Sequence, residues 1–115
     1  MKVLYVLANY PQASESYIEA EIRYAQSRGI EIAVLTSVRG YGEEIPGVQL
    51  FYDLPPYIAT SIFQPDLIHV HYLVTAEILF KSLFCKLPVT VRAHSFDWSL
   101  PTAAHIASVP NVRAI

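Results

Sequence analysis

The chain has 115 residues, of which 53% are hydrophobic and 16% charged, with a formal net charge of −2. That length suits one domain with a real core, and the apolar balance suits a sheet covered by helices on both faces. The charge offers no basic stripe, which excludes duplex nucleic-acid binding, while the lone Cys85 excludes an internal disulfide framework and fits a reducing, cytoplasmic setting.

Residues 2–8 predict a first strand. A lysine before an apolar run superficially resembles a secretory signal, but the run breaks at Asn9-Tyr10-Pro11 without a small-residue cleavage pattern. A helix is expected over about 14–28, with Ile18, Ile22 and Ala25 at helical spacing. Ser16 and Glu19 have capping-box form, and Gly29 followed by Ile30 suits a left-handed stop.

Residues 30–36 predict strand two, and the glycine-bearing stretch 37–47 a mobile loop. A shorter strand follows over 48–52 and, after Pro55-Pro56, a brief helix over about 57–63. Next come a strand over 67–71 and a helix over about 74–86, with Ala76, Leu79, Phe80, Leu83 and Phe84 on one stripe. A strand over 89–94, a helix over 102–108 and a terminal strand from 111 complete the series. All eight prolines fall between these periodic segments. Glu77 and Lys81 interrupt the longest apolar segment, which leaves at most peripheral contact with the inner face of a membrane.

Alternating strands and helices predict an α/β fold: a doubly wound, mainly parallel, Rossmann-like sheet of about six strands with helices on both faces. Val112-Arg113-Ala114-Ile115 reads as a strand just begun, so residues 1–115 are expected to be one domain of a longer protein.

In such a sheet ligands bind beyond the carboxyl ends of the strands. The first connection, from Asn9 to Ser16, lacks the glycine pattern of a pyrophosphate cradle, which disfavours NAD and ATP. The helix start around Ser14, Glu15 and Ser16 still offers free amides to an anionic or hydroxyl-rich ligand, and Ser14 and Ser16 also serve as plain caps. His69 and His71 share one face of their strand, so a zinc reading arises with His94 as third ligand. Against it, no further Cys, Asp or Glu lies at ligand spacing and Asp66 is at the opposite end of the strand; His69 reads better as a packed core residue. His94 and Asp97 form the better pair, a titratable ring and a carboxylate just after a strand. The competing reading makes Asp97 a helix cap and His94 a spectator. Arg92, in a strand otherwise of Val, Thr and Ala, needs a partner such as Asp97, Glu15 or a bound phosphate.

Two segments near the start, 10–22 (YPQASESYIEAEI) and 27–34 (SRGIEIAV), resemble the FP…SETFI…EI…RGHEV opening of many bacterial glycosyltransferases. Segments 65–71 (PDLIHVH) and 87–97 (LPVTVRAHSFD) resemble the PDxxHaH and P…TaHGxD motifs of the same group, the family-4-like retaining enzymes of the GT-B fold. These build exopolysaccharide, capsule and lipopolysaccharide. The resemblance runs in order through nearly the whole chain.

It implies the N-terminal, acceptor-side half of an enzyme that moves a hexose from a nucleotide-sugar to a glycan or lipid-linked acceptor with retention. The nucleotide-sugar is a co-substrate held mainly by a C-terminal domain; no other cofactor and no metal are implied, and this half alone is expected to be inactive. The resemblance implies that His94 reaches the reacting sugar and that Asp97 holds its loop or a hydroxyl. Ser14, Glu15, Ser16, His71, Arg92 and Ser95 would line the substrate side. Ser95 stands where the group has glycine, and Arg92 where a small or hydroxyl residue is common, so the acceptor stays open. The rival readings are a metal-dependent hydrolase using His69, His71 and His94, which predicts stoichiometric zinc, and a non-catalytic interaction module with a protein partner on the unfinished sheet edge.

Overall fold

The first strand, β1 (Lys2–Tyr10), is apolar on both faces because it lies in the middle of the sheet. Its side chains separate into two layers: Leu4 and Val6 enter one core, Val3, Tyr5 and Leu7 the other. The structure, a computed structural model, describes residues 1–11, 16–72, 75–76, 87–94 and 99–114. Its elements continue as α1 (Ser16–Ser27), β2 (Glu31–Arg39), β3 (Gln49–Tyr52), α2 (Pro56–Phe63), β4 (Leu67–His71), β5 (Val89–Arg92), α3 (Leu100–Ala107) and β6 (Val112–Ala114). The six strands are all parallel, in the order β3-β2-β1-β4-β5-β6. That is the doubly wound α/β arrangement expected from the alternation, and it puts the reversal of strand order between β1 and β4.

Helix α1 stops as its sequence predicts. Gly29 takes φ +81°; its N–H donates to Gln26 O and that of Ile30 to Ala25 O, the paired bonds of a Schellman ending. Ile18 and Ile22 of α1 pack on Val3, Tyr5, Leu7, Ile32 and Val34. The opposite core joins Ala59 and Phe63 of α2 and Ala103 and Ile106 of α3 to Ile68, Val70, Val89 and Val91.

Several boundaries differ from expectation. β1 and β2 run on to Tyr10 and Arg39 because Asn9 pairs with Val38 and Tyr10 with Arg39, although β2 beyond Thr36 is exposed and shows no apolar pattern. The stretch expected to be a mobile loop is therefore shorter, and it is pinned: Ile45 is buried with its N–H donated to the Tyr10 hydroxyl at 3.0 Å, and Gln26 Nε2 donates to Pro46 O at 2.9 Å. α3 begins two residues early because Ser99, extended at φ −143° and ψ 141°, caps it by accepting the Thr102 N–H. β5 ends at Arg92, leaving His94 just beyond the strand. The helix expected over 74–86 lies mostly outside the described residues; Thr75 and Ala76 are helical, and Ala76 is buried in the core. Among the described residues no helix is long and apolar enough to cross a membrane.

Candidate functional site

The α1-facing side of the sheet changes character between β1 and β5. On β1 and β2 it is apolar, whereas β4 contributes His69 and His71 and β5 contributes Thr90 and Arg92, paired in register as His69 with Thr90 and His71 with Arg92. Alternation along a strand puts each such pair on one face. Glu21 of α1 completes the group, because it lies three residues after Ile18 and so shares the helix's buried stripe.

His71 is the centre. It has no solvent exposure, and both ring nitrogens are engaged: Nε2 lies 2.9 Å from Glu21 Oε2 and Nδ1 lies 3.1 Å from His94 Nε2. A carboxylate only accepts, so Nε2 of His71 carries the proton toward Glu21, and its bare Nδ1 accepts from His94 Nε2. Nδ1 of His94 then faces the Tyr17 hydroxyl at 3.5 Å. Tyr17 is the second residue of α1, so a chain of carboxylate, two imidazoles and a phenol links the helix start to the loop after β5.

The other carboxylate oxygen, Oε1, accepts from Arg92 Nη1 at 3.3 Å. Burial alone would raise the Glu21 pKa, but the hydrogen bond from His71, the pull of the two neighbouring imidazole rings and the Tyr5 hydroxyl outweigh it, so the carboxyl sits below its ordinary value. The same carboxylate acts in reverse on Tyr5, whose hydroxyl is held protonated by burial first and by Glu21 second. Burial pushes His69 down, against the pull of Glu21, and so keeps the ring neutral. His69 Nδ1 lies 2.6 Å from Thr90 Oγ1, while its Nε2 is buried without a hydrogen-bond partner and stands 3.8 Å from Glu21 Oε2.

Tyr72 forms the outer wall. It follows β4 with φ +76°, a left-handed conformation unusual for a tyrosine, and its N–H donates to Arg92 O. The ring stacks on His94 with centroids 4.0 Å apart and planes 24° apart, and its hydroxyl meets that of Tyr17 at 3.2 Å. Across β1, on the same rim of the sheet, a cavity of about 220 Å³ is lined by Ala8, Thr36, Ser37, Asp53, Leu54 and Thr75.

Of the residues singled out from sequence, His71, Arg92 and His94 converge, with Ser16 exposed at the start of α1 beside Tyr17. Ser14, Glu15, Ser95 and Asp97 lie outside the described residues. Arg92 has Glu21 as a partner, a residue that pattern reading passed over. Asp66 is at the far end of β4, accepting from the Lys2 N–H at 2.7 Å. Glu21, Tyr5, Tyr17, Tyr72 and Thr90 were not evident as site residues. The usable signal was a carboxylate inside the apolar stripe of Ile18, Ile22 and Ala25, since a charge there needs a buried partner. No protein family's profile matches the chain, and no curated protein matches it in sequence.

Proposed function

We propose that the chain is the acceptor-side half of a retaining glycosyltransferase that moves a hexose from a nucleotide-sugar to a glycan or lipid-linked acceptor. The observation that carries this reading is the meeting of His94 and the start of α1 at the carboxyl-end rim, with the Tyr17 hydroxyl 3.5 Å from His94 Nδ1. The motif resemblance implies sugar contact at His94 and acceptor-side lining at the turn that leads into α1, and His94 and Tyr17 are 77 residues apart in sequence. Further support comes from the strand order, whose reversal between β1 and β4 marks the crevice where doubly wound sheets receive ligands.

In this reading His94 contacts the reacting sugar and is a catalytic residue. Glu21 and His71 are positioning residues: they fix the tautomer and orientation of His94 through hydrogen bonds made before substrate arrives, so no reorganisation is needed in the transition state. Tyr72 holds the His94 ring by stacking. Arg92, half-exposed beside the same carboxylate, supplies a cation at the rim for an anionic group of donor or acceptor. The donor's nucleotide is assigned to a C-terminal domain following this one, and the catalytic setting to the cytoplasmic side of the membrane.

The test is transfer of labelled hexose from UDP- and GDP-sugars to lipid-extract or oligosaccharide acceptors by the polypeptide that contains this domain and the sequence following it. His94→Ala is expected to lower turnover by about 10²-fold to 10⁴-fold, the usual scale for a positioned proton-transfer group. Unchanged transfer by that variant rejects the role of His94, and no turnover with any nucleotide-sugar rejects the reading as a whole.

A further inference from the structure

We propose that Glu21, His69 and His71 form a binding site for a divalent first-row transition ion of the zinc class. Each of the three offers a ligand atom, and these atoms all lie within 4.8 Å of one another. The two separations from Glu21 Oε2 are 2.9 Å to His71 and 3.8 Å to His69. A tetrahedral ion with bonds of about 2.0–2.2 Å requires ligand atoms roughly 3.4 Å apart. The two carboxylate–histidine distances bracket that value, and the separation of the two histidine ligand atoms, within 4.8 Å, must close by an ångström or so at most.

Two independent features favour an ion over a simple ion pair. The first is the buried Nε2 of His69, which has no hydrogen-bond partner and is aimed at the carboxylate. A buried polar atom left unpaired is costly, and here a cation between two imidazoles and one carboxylate would satisfy it. The second is the outer shell. Each histidine turns Nε2 toward the common point and gives Nδ1 to a fixed partner, Thr90 Oγ1 at 2.6 Å for His69 and His94 Nε2 at 3.1 Å for His71. Metal-bound histidines are oriented in that way, through the nitrogen that does not bind the ion. Glu21 follows the same logic, with Oε2 facing the histidines and Oε1 held by Arg92.

The ligand set chooses the ion. Two imidazoles and one carboxylate suit Zn²⁺ and its neighbours Fe²⁺ and Co²⁺, whereas Mg²⁺ and Ca²⁺ want oxygen alone. Access is provided by a cavity of about 300 Å³ between α1 and the sheet, to which Glu21 and His69 contribute with Val3, Tyr5, Ala25 and Ile32. His94 is outside this ligand set, because it meets the opposite nitrogen of His71. Coordination through Nε2 would move the His71 proton to Nδ1, and His94 would become the acceptor of that bond with its own proton on Nδ1. Both rings exchange tautomer with no net proton release, so occupancy of the ion site reaches the rim.

This inference goes beyond the transferase reading, and its test uses no nucleotide-sugar. The chain is stripped with chelator, titrated with Zn²⁺ by calorimetry and with Co²⁺ by visible absorption, and its fold is checked by circular dichroism. One equivalent of Zn²⁺ and the intense visible bands of a four-coordinate Co²⁺ centre are expected. His69→Ala should abolish both, and Thr90→Val, a near-isosteric change natural to a strand, should weaken Zn²⁺ binding by about 10-fold to 100-fold. His105→Ala, on the exposed side of α3, should change nothing. Absence of stoichiometric binding, or binding that persists unchanged in both His69→Ala and Thr90→Val, overturns the proposal.

Discussion

Glu21 Oε2 and His71 Nε2 are 2.9 Å apart although 50 residues of chain separate them. The bond ties α1 to the end of β4 across the face of the sheet, where β4 and β5 set polar side chains on that face. Its energetic weight follows from burial: His71 is fully enclosed, and Glu21 also accepts from Arg92. Glu21→Ala leaves a buried imidazole N–H without an acceptor and is expected to lower stability by about 1–3 kcal/mol. Glu21→Gln, which keeps one acceptor oxygen, should cost less. Urea unfolding of the three proteins measures both, and equal midpoints would mean that the bond does not form in solution.

Alkaline pH should weaken the fold through Tyr10. Burial first, and the nearby carboxylates Glu44 and Glu19 after it, raise this hydroxyl above its ordinary pKa of 10.0, against a lowering from the Ile45 N–H. A raised acid holds its proton more tightly when folded, so its contribution is complete below the unfolded value and is lost as pH rises from about 10 through the folded value. Tyr10→Phe should flatten that alkaline decline, while losing about 1–3 kcal/mol at neutral pH because the buried Ile45 N–H is left without its acceptor. Thermal melts between neutral pH and pH 11 decide it; an unchanged alkaline slope in the variant excludes Tyr10 as the cause.

The stop of α1 separates backbone strain from crowding. A Cβ at Gly29 would meet nothing within 4 Å, yet φ is +81° there. Gly29→Ala should therefore cost roughly 1–2 kcal/mol from the left-handed conformation alone. Gly47, at φ +82°, would set a Cβ 3.3 Å from Gln26 Nε2, the donor that anchors Pro46. Gly47→Ala should cost more than Gly29→Ala in chemical denaturation, and the reverse order would mean that the Gln26 anchor is weak.

Ser99 caps the start of α3 with its side chain, accepting the Thr102 N–H at 3.3 Å. Ser99→Ala should lower stability by about 1 kcal/mol, and Ser99→Asp, which keeps an acceptor and adds charge at the positive end of the helix, should restore it. Both variants are read by the same urea titration, and indifference to Ser99→Ala would show that the first turn is held by other contacts.

The fold was legible because buried parallel strands and amphipathic helices write different periods into the chain. Ile18, Ile22 and Ala25 mark α1 at a helical spacing, while Leu67 to His71 reads as a strand between prolines. Boundaries failed where pairing goes on without burial, as from Ser37 to Arg39, and where a cap lies outside the periodic run, as at Ser99. Half of the site was legible in the same way, since polar residues at the ends of β4 and β5 had to reach one rim. The rest came from distant chain: no local pattern pairs Glu21 with His71 or Arg92. Tyr72 owes its place over His94 to a positive φ that tyrosine gives no sign of adopting.

His71 has a fixed length and no freedom to tilt, since its ring is enclosed and bonded at both nitrogens. It therefore works as a rigid strut between a helix and a surface loop. Anything that nudges α1 along its axis is transmitted through this ring to His94. The position of His94 is thus set by the helix seat, and a substitution far from the rim, at Ile22 on the buried side of α1, should shift it as surely as one beside it.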